Sequence, residues 1–120
     1  MSDEELYQQA KSASVGAYAP YSKFLVGAAA LLRDGRVITG VNVENASYPL
    51  GMCAERCALS RAVAEGARPG DVEAVAITDS PCGGCRQWLY EFGVDRVVFW
   101  YEDELLLRTP KELLPDSFEL

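Results

Sequence analysis

The chain contains no histidine. Ser-His-Asp and Cys-His catalysis are therefore excluded, and so is any zinc site built on imidazole. A bound metal would have to be held by cysteine and carboxylate. No apolar run approaches the ~18 residues that a membrane helix needs. The first residues, Met1-Ser2-Asp3-Glu4-Glu5, are acidic and carry no apolar segment of signal-peptide type. The expected compartment is the cytoplasm, and no membrane partner is expected. Cations are scarce: 11 Lys and Arg stand against 18 Asp and Glu, a formal net charge of −7. They are not clustered, whereas a polynucleotide binder needs clustered cations to displace counterions. A nucleic-acid polymer is disfavoured as partner, and a small neutral molecule is favoured.

What is present is globular in composition, with 49% apolar residues among 120. That length predicts one domain, residues 1–120, able to bury a core without staples. There are four cysteines, Cys53, Cys57, Cys82 and Cys85. In a reducing cytosol they are not expected to form structural disulfides. Two close pairs read first as metal ligands or a redox motif.

Ser2 and Glu5 have capping-box form and predict a helix over 3–17, stopped at Tyr18-Ala19-Pro20 because proline pushes its predecessor out of the helical region. Phe24–Leu32 is almost wholly apolar, as in a strand covered on both faces. Asp34-Gly35 is a hairpin signal, and Arg36–Val43 returns as a strand with Asn42 and Glu44 on one face. Asn45–Met52 reads as a loop. A helix is predicted from Cys53 to about Glu65, a strand over Val72–Thr78, and a second helix over Cys82–Phe92 that Gly93 ends. Strands follow at Arg96–Tyr101 and Glu104–Arg108. Thr109-Pro110-Lys111-Glu112 opens a last short helix. The two strand–helix–strand units should pair in parallel through right-handed crossovers. The expected fold class is α/β: a three-layer α-β-α sandwich around a mixed five-stranded sheet.

The chemistry concentrates in Cys53-Ala54-Glu55-Arg56 and Pro81-Cys82-Gly83-Gly84-Cys85-Arg86-Gln87. Cys53, Cys82 and Cys85 all fall at predicted helix starts, where free N–H groups and the dipole favour thiolates. Three thiolates leave one position open, the pattern of a catalytic zinc site; a structural site uses four protein ligands. Gly83 and Gly84 are expected to let backbone amides approach sulfur. Glu55, two residues past Cys53, is placed to take a proton from zinc-activated water and deliver it to a substrate nitrogen. This combination is used by zinc deaminases. Arg56 is the candidate to offset the thiolate charge. Cys57 lies four residues after Cys53 on the same helix face, so a four-sulfur structural zinc is a rival. A second reading makes Cys57 a small buried residue; a third makes Cys82 and Cys85 a redox pair.

On these segments the chain resembles the small homotetrameric cytidine deaminases, from the first helix to Leu114. Tyr18–Phe24 with Val26–Ala29 is similar to that family's first strand and its approach, and Gly40–Tyr48 to its nucleoside-binding segment. The resemblance implies Zn2+ on Cys53, Cys82 and Cys85, with Glu55 as proton carrier. It implies Asn42 and Glu44 on the ribose 3′-hydroxyl side, Phe24 against the pyrimidine, the Ala54 N–H on the cytosine O2, and Tyr48 closing the pocket. Phe118 would reach a neighbouring subunit's site in a homotetramer. The implied activity is zinc-dependent hydrolytic deamination of cytidine and deoxycytidine to uridine and deoxyuridine plus ammonia, in pyrimidine salvage. The alternatives are deamination of a modified aminopyrimidine nucleoside, or a non-catalytic structural-zinc domain. The chain departs from the family in its short Ile77–Ser80 link, in Cys57 where a hydroxyl residue is usual, and in ending at Leu120 without a long tail.

Overall fold

The computed structural model describes all 120 residues. The elements in chain order are α1 (Asp3–Ser14), β1 (Gly27–Leu32), β2 (Val37–Val41), a 3₁₀ turn (Tyr48–Leu50), α2 (Ala54–Ala64), β3 (Val72–Ile77), α3 (Gly83–Phe92), β4 (Arg96–Tyr101), β5 (Glu104–Arg108) and α4 (Pro110–Leu113). The capping boxes expected at α1 and α4 are both formed, by Ser2 with Glu5 and by Thr109 with Glu112. Gly93 ends α3 in the left-handed conformation, φ 64°, which glycine adopts without a Cβ penalty.

The sheet order is β2-β1-β3-β4-β5. The β3–β4 pair is parallel, as predicted; the other three pairs are antiparallel. Here the sequence expectation needs correction: β2 and β3 do not pair directly. β1 lies between them, and each is antiparallel to it. They still run in the same direction, so the crossover through α2 spans two strand positions rather than one. Several element ends also fall short of prediction, β2 closing at Val41 rather than Val43. The helix α1 stops at Ser14, and β1 begins at Gly27 rather than Phe24. Val26 N–H and the Phe24 carbonyl are taken by the Asn42 side chain instead of a strand partner.

Strand alternation divides the core between the two faces. Ala29, Leu31, Ala74, Ala76 and Val98 pack under α1 with Leu6, Tyr7 and Ala10. Ala28, Ala30, Val75, Ile77, Val97 and Phe99 pack against α2, α3 and α4 through Ala58, Leu59, Leu89 and Leu113. This gives three layers. Every residue of β1 is buried, which agrees with its unbroken apolar run.

The helix α2 lies unusually close to β2. A Cβ built on Gly40 would stand 2.3 Å from the Ala58 nitrogen and 2.5 Å from the Ala54 carbonyl oxygen. Only glycine fits there, and the close approach fixes where the first turn of α2 sits. Gly40→Ala should therefore push α2 off the sheet, at a cost of about 1–3 kcal/mol or more by the usual penalty for overpacking. Urea unfolding measures this; a variant within ~0.5 kcal/mol of the parent, the usual range for surface substitutions, would show that α2 moves freely.

Candidate metal centre and adjoining cavity

Parallel strands that feed helices deliver those helices to one edge of the sheet. Because β2 and β3 run the same way, α2 and α3 start on the same edge. Cys53 is the N-cap of α2 and Cys82 the N-cap of α3, both with extended backbone and neither using its side chain to cap. Their sulfurs are free to meet. Cys85 follows within α3 and is fully buried.

The three sulfurs converge. Cys53 Sγ lies 3.8 Å from Cys82 Sγ, and Cys82 Sγ lies 3.5 Å from Cys85 Sγ. All three atoms lie within 4.8 Å of one another. Tetrahedral zinc at the usual Zn–S length of about 2.3 Å holds its sulfurs about 3.8 Å apart, so the cluster has the right size. Cys57 is not part of it and lies half-buried on α2. A four-sulfur structural site therefore finds no support in the geometry.

Charge around the sulfurs favours a thiolate at Cys53. Cys53 is lowered to about 5, first by its contact with the Cys85 thiol and then by Arg56 and Cys82. Cys85, as the thiol partner and buried, is pushed up. Arg56 Nη2 donates to Cys53 Sγ at 3.3 Å. The Arg56 Nε–H is buried and has no acceptor. Three thiolates around Zn2+ carry a net charge of −1, which is what Arg56 would offset. The donor set and its surroundings thus fit a zinc ion.

Glu55 is the one buried charged residue of the chain, 3% exposed. Burial raises its carboxyl to about 7, with the Cys53 charge adding to the rise. A carboxyl at that value both holds and releases a proton near neutral pH.

A cavity of about 440 Å³ adjoins the cluster. Its lining includes Phe24, Asn42, Glu44, Tyr48, Ala54 and Glu55, together with Cys53, Arg56 and Cys82. All the side chains expected around the substrate are thus brought together in one chain except Phe118. Phe118 is 69% exposed and lies beside α3, where Gln87 Nε2 donates to its carbonyl at 3.2 Å. Ala54 is the first residue of α2, a position whose N–H has no intrahelical acceptor. Asn42 and Glu44 both face the cavity, although β2 ends at Val41 before either of them. Asn42 accepts from Val26 N–H at 2.8 Å and donates to the Phe24 carbonyl at 2.9 Å. Glu44 accepts from the N–H groups of Tyr21 and Ser22 at 3.0 and 3.1 Å and from the Ser22 hydroxyl. These bonds, the Ser22 hydroxyl first, hold its carboxyl below the ordinary range.

Sequence reasoning missed Asp79 and Ser80, which line the cavity; their position just ahead of Pro81-Cys82 was the available signal. It also gave Ser22 no role. The close approach of amides expected from Gly83 and Gly84 is not a demand of crowding, since a Cβ on either meets nothing within 4 Å.

Residues 1–101 match the family model described as the cytidine and deoxycytidylate deaminase zinc-binding region. The chain belongs to this family. It is 45% identical over 127 residues to a cytidine deaminase of Halalkalibacterium halodurans, covering 98% of this chain and 95% of that one. It is 46% identical over 117 residues to a cytidine deaminase of Mycobacterium tuberculosis, covering 92% and 85%. The crystal structure of a cytidine deaminase from Burkholderia pseudomallei superposes with a TM-score of 0.91 at 45% identity, covering 98% of this chain and 100% of that one. The fold expected for the family is therefore the fold found.

Zinc analysis of purified variants tests the ligand set. Cys57→Ser is expected to keep the parent's zinc content, whereas Cys85→Ser is expected to lose it. A drop of one equivalent in the Cys57 variant would bring that thiol into the site.

Proposed function

We propose that this protein is a zinc-dependent hydrolase that converts cytidine and deoxycytidine, with water, to uridine and deoxyuridine plus ammonia. One observation carries the reading: a buried carboxyl, Glu55, stands beside a three-sulfur cluster at a cavity large enough for a nucleoside. Zinc held by Cys53, Cys82 and Cys85 would supply Lewis-acid activation of water. The remaining work falls to the chain. Glu55 takes a proton from the attacking water and delivers it to ring N3 as the new C4–O bond forms. It then carries the second proton to the amino nitrogen, which leaves as ammonia when the C4–N bond breaks. The Ala54 N–H is offered to the cytosine O2, Phe24 packs against the base, and Tyr48 closes over it. Asn42 and Glu44 take the ribose 3′-hydroxyl. Arg56 offsets the sulfur charge.

The charge of the cavity favours nucleosides over nucleotides. Glu44, Glu55 and Asp79 line it, and its one cation, Arg56, is engaged by Cys53. A 5′-phosphate finds no unengaged cation there. We take residues 1–120 as one domain that works in the cytoplasm in pyrimidine salvage, without nucleic-acid or membrane partners; no helix is long and apolar enough to cross a membrane. We also propose a homotetramer, in which neighbouring chains cover the exposed rim residues Phe24 and Tyr48 and Phe118 enters an adjacent site. The 55% and 79% exposure of the two rim aromatics supports this.

Two measurements test the reading. Glu55→Gln is expected to keep zinc and fold while turnover of cytidine, followed by ultraviolet absorbance, falls about 10²–10⁴-fold or more, the usual worth of general acid–base catalysis. Activity within tenfold of the parent would remove Glu55 from the mechanism. Cytidine and deoxycytidine should be turned over in strong preference to their 5′-monophosphates and to modified aminopyrimidine nucleosides. Equal use of a monophosphate would overturn the nucleoside assignment.

A further inference from the structure

Arg86 follows the buried Cys85 directly, yet its side chain serves other parts of the chain. Its Nε donates to the Pro81 carbonyl at 2.9 Å and its Nη2 to the Ser80 hydroxyl at 3.3 Å. Its Nη1 donates to the Leu113 carbonyl at 3.1 Å. One planar guanidinium thus joins the two residues ahead of Cys82 to the last residue of α4.

Pro81 is buried and Ser80 half-buried, but Arg86 supplies the side-chain hydrogen bonds of both. No other side chain hydrogen-bonds to Ser80 or Pro81. Cys82 is exposed and lies outside α3, with extended backbone and no capping bond. Gly83 and Gly84 offer no side chains to pack. Cys85 is in a different position, since burial inside α3 fixes it. At the other end the anchor is firm: Leu113 is 8% exposed and belongs to the main core. Its carbonyl lies at a helix end that supplies no intrahelical donor, and an arginine is well suited to it.

We infer that Arg86 is a positioning residue for the zinc site, tying the Ser80–Pro81 approach to α4 and so fixing where Cys82 places its sulfur. This rests on the zinc reading of the cysteine cluster. Ser80 also lines the cavity, so the same tether sets part of the substrate wall. Lysine cannot replace the function, because a single ammonium lacks the rigid fork that reaches three acceptors in one plane.

The test uses the full-length zinc-loaded protein and four variants: Arg86→Gln, Arg86→Lys, Ser80→Ala and Tyr90→Phe. Zinc release to excess chelator is timed, and the cobalt(II)-substituted proteins are compared by absorption. Thermal unfolding of the metal-free forms is recorded alongside. Both Arg86 variants should release zinc about 10–100-fold faster, the usual cost of losing support around a metal ligand, with altered cobalt d–d and sulfur charge-transfer bands. Ser80→Ala should show a smaller change in the same direction. Tyr90→Phe, which removes only the Tyr90–Glu119 bond on the same helix, should release zinc at the parent rate. If Arg86→Gln does not fold, Arg86→Lys and Ser80→Ala decide the question between them. Variants that lower the unfolding temperature but leave zinc release and the cobalt spectrum unchanged would reduce Arg86 to a structural clasp and overturn the inference. A parent protein that holds no zinc would remove the site itself, and this inference with it.

Discussion

Three sulfurs from two helices can share one ion only if the helix starts are held at a fixed separation. That constraint governs the sheet. β2 and β3 point the same way with β1 between them, so α2 and α3 begin on one edge. The small residues Gly40, Ala28, Ala30, Ala54 and Ala58 let α2 settle close to the sheet. The helix α3 is drawn in by Leu89 and Phe92 and is held from outside by α4. A larger residue in the α2 seat moves Cys53, Ala54 and Glu55 together, because all three lie in the first turn. Packing in the core and geometry at the site are therefore a single problem.

The site works against the stability of the chain that carries it. A buried carboxyl and clustered thiols are arrangements that folding alone does not favour. Glu55 gains no ion pair strong enough to bring it back to an ordinary carboxyl value; burial outweighs both its own backbone hydrogen bond and Arg56. Arg56 in turn buries an N–H without an acceptor. Such violations of local rules gather at functional sites in proteins that are otherwise consistent. Away from the site this chain obeys the rules. Both capping boxes close, and the Arg33–Asp95 and Arg96–Asp3 pairs join distant segments at the surface.

Much of this was legible in the sequence because the signals were local. Ser2 with Glu5 and Thr109 with Glu112 announce helix starts through bonds three residues apart. β4 and β5 have the predicted bounds, separated by Glu102 and Asp103, which both take positive φ in a two-residue turn. The cysteine spacing alone leaves a metal site and a redox pair open, and it is Cys53-Ala54-Glu55-Arg56 together with Pro81–Gln87 that points to a metal. What escaped prediction depends on contacts distant in sequence. The handedness of a crossover does not say how many strands it passes, so β1 was not placed between β2 and β3. Phe24–Val26 has the composition of a strand, but Asn42 claims its backbone groups with a side chain 16–18 residues away. The role of Arg86 depends on a carbonyl 27 residues further on. No spacing rule reaches that far.

The same contacts change how the substrate-facing residues should be understood. Asn42 and Glu44 do not stand in the cavity with their polar atoms idle. Asn42 spends one acceptor site and one donor on the backbone around Phe24, and Glu44 secures the turn at Tyr21 and Ser22. Ser22 links the two, since its hydroxyl donates to Glu44 and accepts from Phe24 N–H. The residues that would read the sugar are therefore the ones that build the wall against the base. Removing either side chain would loosen Phe24 as well as a ribose contact. On the proposed roles, sugar recognition and base stacking would then be mechanically joined, and a weakened sugar contact would reach the chemistry at C4 through the position of the ring.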